Sequence, residues 1–214
     1  MFSIFTDGGS FMFVILGVSI IAMALFLERA AFLYFRMNLN MDKAFMRVLV
    51  PLEKENFQRA IEECTRLEKH PLGGVLKAGL LKADRKDQEI ERAMEEKILN
   101  EMPKVKARVN LLTLFANIAT LLGLLGTILG LITAFQSVSS ASDALKQEML
   151  ARGISMAMLT TAGGLMVAIP CLAGYYLLNN RSDYLLDKIE EKAMGLANAL
   201  SSMKQKRVTD GKVG

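Results

Sequence analysis

The stretch VNLLTLFANIATLLGLLGTILGLITAFQ, Val109 to Gln136, contains no Asp, Glu, Lys or Arg. An uncharged apolar run of this length reads as a membrane span, because about 20 helical residues cross the roughly 30 Å hydrocarbon core. A second stretch, GISMAMLTTAGGLMVAIPCLAGYYLL, runs from Gly153 to Leu178 and is also free of charge. At about 1.5 Å per residue each makes a helix near 40 Å long, so each must tilt or project beyond the bilayer. Phe11 to Leu27 is a shorter run of the same kind. A secretory signal peptide would carry a basic region ahead of its apolar core. Residues 1–10 carry only Asp7, and Arg29, Arg36, Lys43 and Arg47 come afterwards, so this run also reads as a span. The expected fold is all-α: an integral membrane protein with three transmembrane helices and long helical cytoplasmic extensions.

Orientation follows from the positive-inside rule. Lys97, Lys104, Lys106 and Arg108 precede the second span, and Arg181, Lys188 and Lys192 follow the third. The connection between those spans carries only Lys146 and Arg152 as cations. Residues 1–10 are therefore expected in the periplasm, 11–27 as the first span and 28–108 as a cytoplasmic helical region. The second span is 109–136, the periplasmic loop 137–152, the third span 153–178 and the cytoplasmic tail 179–214.

Composition excludes several classes. The net charge of +4 is explained by this topology, and the long loop mixes both signs closely, which argues against a nucleic-acid surface. The two cysteines, Cys64 and Cys171, fall on a cytoplasmic segment and within a span, so no disulfide is expected. With one histidine, no metal-ligand cluster is visible, and no cofactor motif is present. His70 precedes Pro71 and reads as a solvated turn residue.

Between the spans the pattern is helical. Helix signals continue past the first span to about Val50, where Pro51 is expected to end them. Phe57, Ala60, Ile61, Cys64 and Leu67 make one apolar face, HPLGG at 70–74 reads as a turn, and a short helix is expected over about 74–83. From Ile90 through Met94, Ile98, Met102, Val105 and Val109 to Leu112, apolar residues recur every three or four positions. That stripe predicts one long helix running into the second span, with Pro103 as a kink. Leu185, Ile189, Ala193, Leu196, Leu200 and Met203 extend the third span in the same way. The last residues, about 205–214, read as disordered. The apolar faces of these extensions are narrow, so they are expected to bury against one another and against neighbouring subunits.

Inside the second span Asn110, Thr113, Asn117, Thr120 and Thr127 share one face. Polar groups facing lipid lack partners, so this face should meet protein or water. Gly123, Gly126 and Gly130 allow close helix approach. In the third span Gly153, Ala157, Thr161, Gly164 and Ala168 form a small-residue face with Thr160 beside it, and Pro170 removes a backbone donor, which should kink the helix. Packing and back-bonding to carbonyls would account for these residues without any ion pathway. Neither span holds an Asp, Glu, His, Lys or Arg. A transmembrane proton relay needs one, so a partner would have to supply the carboxylate, and threonine hydroxyls could orient it. No nucleophile–base pair or phosphate loop supports an enzyme.

The stretches NIATLLGLLGTILGLITAFQSV (Asn117–Val138) and ARGISMAMLTTAGGLMVAIP (Ala151–Pro170) resemble the second and third spans of the MotA/TolQ/ExbB proton-channel family. PLGGVLKAGL, Pro71 to Leu80, is also similar to that family. The three-span layout resembles the ExbB/TolQ type. The resemblance implies a bacterial inner-membrane subunit forming a homo-oligomeric ring, typically a pentamer, around a dimer of single-span ExbD/TolR-like partners, each with one membrane Asp. It implies proton passage that rotates the ring, with Thr127 and Thr161 facing the partner's Asp, Thr160 adjacent, and Pro170 at the family proline. Met156 stands where ExbB-like members often carry Glu, and Thr120 where many carry Pro. The expected function is therefore a proton-driven motor subunit. The alternatives are a non-conducting structural membrane scaffold and an independent channel, and the missing membrane carboxylate argues against the second.

Overall fold

The structure, a computed structural model, describes residues 10–139 and 143–210. Among these residues every regular element is helical. Helix α1 spans Ser10–Ala31 and is followed by a π-helical turn, Phe32–Arg36. The others are α2 (Met41–Glu53), α3 (Phe57–Arg66), α4 (Pro71–Leu80), α5 (Asp87–Val105), α6 (Val109–Ser139) and α7 (Asp143–Asp210). Three helical stretches, beginning at Phe11, Asp87 and Leu145, are long and apolar enough to cross a membrane. The chain divides into two compact units, residues 1–30 with 108–179 and residues 31–107 with 180–214.

In the first unit the outward residues are apolar. Phe13, Ile20, Ile21, Leu121, Leu124, Phe135, Met158 and Ile169 are all exposed, an arrangement suited to lipid and not to water. Where α6 meets α7 the inward residues are small, because backbones can approach only where side chains are short. A Cβ added at Gly123 would lie 3.2 Å from the Thr161 Cα, one at Gly126 2.8 Å from the Thr160 Cβ, and one at Gly130 3.0 Å from the Ala157 Cβ. From the other side, a Cβ at Gly164 would meet the Ala119 carbonyl oxygen at 2.5 Å. These contacts form a seam along α6 and α7. Helix α1 joins through Met12 over Gly163 and Phe26 over Gly174. Ala116, Ala119 and Ala168 form a buried cluster, with Val18, Val167 and Cys171 packed on it.

In the second unit α2 to α5 pack consecutively, α2 on α3, α3 on α4 and α4 on α5. Val48, Leu52, Leu72, Leu76, Ile90 and Met94 are buried there, with Leu185, Ile189, Leu196 and Leu200 from the later part of α7. Gly195 passes under the Phe45 ring, and Leu196 and Met94 both press on Gly79. Polar ties close the edges: Lys106 with Asp183 at 2.7 Å and Lys204 with Asp87 at 2.8 Å.

Several boundaries differ from the sequence expectation. The helix from the first span is interrupted at residues 37–40, and Asn40 restarts it by accepting from the Lys43 N–H at 3.1 Å. Pro51 lies inside α2, which ends at Glu53 and not at Val50, since the last-turn carbonyls remain bonded by Glu55 and Asn56. Helix α4 begins at Pro71, ahead of the expected 74, because Pro is favoured in a first helical turn. The expected single helix over 87–136 is broken at 106–108, where Arg108 adopts a left-handed φ of 59°. Most of the expected loop 137–152 is helical: α6 runs to Ser139 and α7 starts at Asp143. Residues 140–142 of that loop, the 1–9 segment and residues 211–214 of the tail lie outside the described residues. Residues 205–210, expected to be disordered, belong to α7.

Candidate functional site

The two unbroken apolar helices α6 and α7 put the threonines at their seam. Buried Val109, Leu112, Ala116, Ala119, Gly123, Gly126, Gly130 and Ala134 mark the packed face of α6. The polar residues run beside this face: Asn110, Asn117 and Thr120 are exposed, and Thr113 and Thr127 are half-buried. On α7, Thr160 is buried beneath Gly126 and Thr161 is half-buried.

The hydroxyls divide by partner. Thr120 Oγ1 donates to the Ala116 carbonyl at 3.0 Å, Thr127 Oγ1 to the Leu124 carbonyl at 2.6 Å, and Thr160 Oγ1 to the Ala157 carbonyl at 2.7 Å. These are bonds within one helix, the usual way for a hydroxyl to avoid being stranded among apolar groups. Thr161 is different: its Oγ1 crosses to α6 and donates to the Gly123 carbonyl at 3.2 Å. Helical geometry assigns that same carbonyl to the Thr127 N–H. Thr127 and Thr161 are thereby tied to one carbonyl, whose approach to α7 depends on Gly123 having no Cβ. The Thr113 hydroxyl oxygen is buried without a hydrogen-bond partner. Pro170 lies within the continuous α7 and is exposed.

Chemically, a threonine that already donates to a carbonyl keeps lone pairs with which to accept from an incoming O–H. It can also rotate and donate to an anion. No Asp, Glu, His, Lys or Arg lies between 109 and 136 or between 153 and 178. The site can thus orient and differentially stabilise a carboxyl group, but it cannot store a proton by itself. Among the described residues no group of three or more His, Cys, Asp or Glu is placed to hold a metal ion.

The family model described as the MotA/TolQ/ExbB proton channel family matches residues 44–191. The chain belongs to the MotA/TolQ/ExbB proton channel family. As a member it is a multi-pass membrane protein of a non-enzymatic channel family. Biopolymer transport protein exbB1 of Vibrio cholerae serotype O1 is 45% identical over 82 residues, which are 38% of this chain and 36% of that protein. The chain therefore matches only about a third of that curated relative's length. A solved structure, described as the structure of C. jejuni MotAB, superposes with a TM-score of 0.63 at 19% identity, covering 92% of this chain and 82% of the other. That likeness is one of fold.

Two features escaped the sequence reading. The cross-helix bond of Thr161 was signalled only by the glycine spacing in GLLGT. His70 is not a solvated turn residue: it is 6% exposed and caps α4, its Nδ1 accepting from the Leu72 N–H at 3.2 Å. Its Nε2 is buried without a hydrogen bond of ordinary geometry. Burial pulls its pKa below the usual imidazole value, although the Met37 carbonyl acts in the opposite direction. Cys64, behind the same turn, is fully buried and its thiol is pushed up to about 12, chiefly by desolvation.

Proposed function

We propose that the chain is the ring-forming subunit of a bacterial inner-membrane motor driven by proton flux, with its amino terminus periplasmic and its carboxyl terminus cytoplasmic. It works with a dimer of single-span ExbD/TolR-like partners carrying a membrane Asp. The ring is a homo-oligomer, a pentamer by family resemblance. The reading is supported by the convergence of Thr127 and Thr161 on the Gly123 carbonyl in two spans that hold no Asp, Glu, His, Lys or Arg.

In this account the partner's Asp is the proton carrier. When protonated, its O–H donates to a threonine oxygen. When charged, it draws the hydroxyls away from the Leu124 and Gly123 carbonyls and accepts from them. Hydrogen bonds to the charged form lower a carboxyl pKa, and an apolar setting raises it. A ring of alternating hydroxyl and lipid-like surfaces therefore changes the Asp's proton affinity with angle, which is what couples passage to rotation. Gly126, Gly130, Gly164 and Thr160 hold the α6–α7 seam rigid, while Thr113, Asn117 and Thr120 line the approach. Pro170 loosens α7 locally.

A non-conducting structural scaffold is the second reading. It is favoured by the bonds of Thr120, Thr127 and Thr160 within their own helices, which packing alone would produce. Co-expression with an Asp-bearing single-span partner separates the two. The motor reading expects work that is lost when the partner's Asp becomes Asn, with the complex still co-purifying. A scaffold would tolerate that change.

A further inference from the structure

The function proposed above assigns no role to the PLGGVLKAGL helix, α4, yet that helix borders a cavity of about 420 Å³ within the second unit. Five cations line it: Arg36, Lys69, Lys77, Lys97 and Lys104. Only two carboxylates, Glu68 and Glu101, oppose them. Glu101 is already engaged, with Lys97 at 3.2 Å and Lys104 at 2.9 Å. Among the described residues Lys69 and Lys77 have no ion-pair partner, so the cavity keeps a positive excess on the α4 side.

Three independent features point to a ligand there. First, the wall is formed by the π-helical turn Phe32–Arg36, a rare geometry that often marks functional positions. It brings the Arg36 guanidinium to 5.8 Å from the Phe32 ring centroid, at the cavity edge. Second, the floor holds His70, more than nine-tenths buried, at the positive end of α4. Third, Gly73 and Gly74 let neighbouring groups close on that same end. A Cβ at Gly73 would fall 2.5 Å from the Leu67 carbonyl oxygen. One at Gly74 would fall 3.0 Å from the Lys97 Cε, the stem of a cavity cation. The volume suits one small ligand and not a polymer.

We infer that this cavity is a binding site for a phosphate-bearing ligand, its phosphate held by Arg36, Lys69 and Lys77 and its apolar part laid against Phe32, Met37 and Leu81. A dianionic phosphate matches the uncompensated cations. Its source is either a soluble phosphate ester or an anionic phospholipid headgroup, two forms of one chemistry.

The test uses the full-length chain in a maltoside detergent, titrated calorimetrically with inorganic phosphate. Saturable binding is expected. Lys69→Gln with Lys77→Gln weakens it by about tenfold or more, in line with the loss of charge-assisted bonds. Glu68→Gln, which removes an opposing charge, tightens it. This opposite response distinguishes recognition from a folding defect. Repeating the titration in phosphatidylglycerol and phosphatidylcholine nanodiscs identifies the source. Competition by phosphatidylglycerol alone marks a headgroup site, and equal binding in both marks a soluble ester. No saturable phosphate binding, or affinities that do not respond to the two variants, overturns the inference.

Discussion

Two residue types carry the account, the seam threonines and the buried histidine. Thr127→Val and Thr161→Val keep the side-chain shape and remove only the hydroxyl. Hydrogen bonds to charged groups are worth about 1.5–3 kcal/mol, so either change is expected to cut partner-dependent proton flux by roughly tenfold or more. Assembly should survive, because the Gly123 carbonyl that loses Thr161 retains its helical bond. Normal flux in both variants, measured beside intact rings, refutes the hydroxyl argument. His70 makes a pH prediction of definite sign. The unfolded chain takes up the imidazole proton near pH 6.5, whereas the folded chain, with its pKa pulled down by burial, does so only at lower pH. The stabilisation is therefore complete above about 6.5 and declines as pH falls from there toward the depressed pKa. Protonation at Nδ1 also removes the acceptor that caps α4. Thermal midpoints should drop on acidification from pH 7.5 to 5.5, and His70→Asn, which keeps a capping acceptor, should flatten that drop. An unchanged slope in His70→Asn contradicts it.

At the scale of helices, the α6–α7 seam makes a prediction by contrast. Gly164→Ala places a methyl 2.5 Å from the Ala119 carbonyl oxygen, a backbone atom that cannot swing away. Overpacking of this kind costs about 1–3 kcal/mol or more. Gly17→Ala on α1 meets nothing within 4 Å and should be neutral or slightly stabilising. Melting both variants in one detergent checks the pair, and equal midpoints would deny that the seam is tight. The same helices show what the sequence makes legible. Runs without charge identified the spans, and the stripe from Leu185 to Leu200 is buried as its period requires. The break at 106–108 was hidden because Val105, Val109 and Leu112 stay in phase across it and all three are buried. A periodic pattern reports which face is inside, not whether the backbone is continuous. Asn40 and Asn56 were readable as caps only after the helices they start were located. His70 escaped because a polar residue before a proline resembles an exposed turn, and it sits beside Phe32 and Met37, which are distant in sequence. At the site, the types and spacing of Thr127 and Thr161 were visible, but their common carbonyl required coordinates.

For the whole molecule, orientation and the identity of the proton carrier are both open to direct test. A cysteine at Gln147 should react with an impermeant maleimide from outside intact spheroplasts, and one at Lys69 only after the membrane is opened. The native background should be low, since Cys64 is buried with its thiol held up to about 12 and Cys171 lies in the third apolar run. The reverse pattern overturns the orientation. The central claim is that this chain shapes a proton path without carrying the proton, and reconstitution tests it most directly. Proton flux into liposomes is measured for the purified chain alone, for the chain with an Asp-bearing single-span partner, and for that complex with the Asp changed to Asn. The account predicts negligible flux from the chain alone, flux from the complex, and its loss in the Asn variant. Robust proton flux from the chain alone would contradict it.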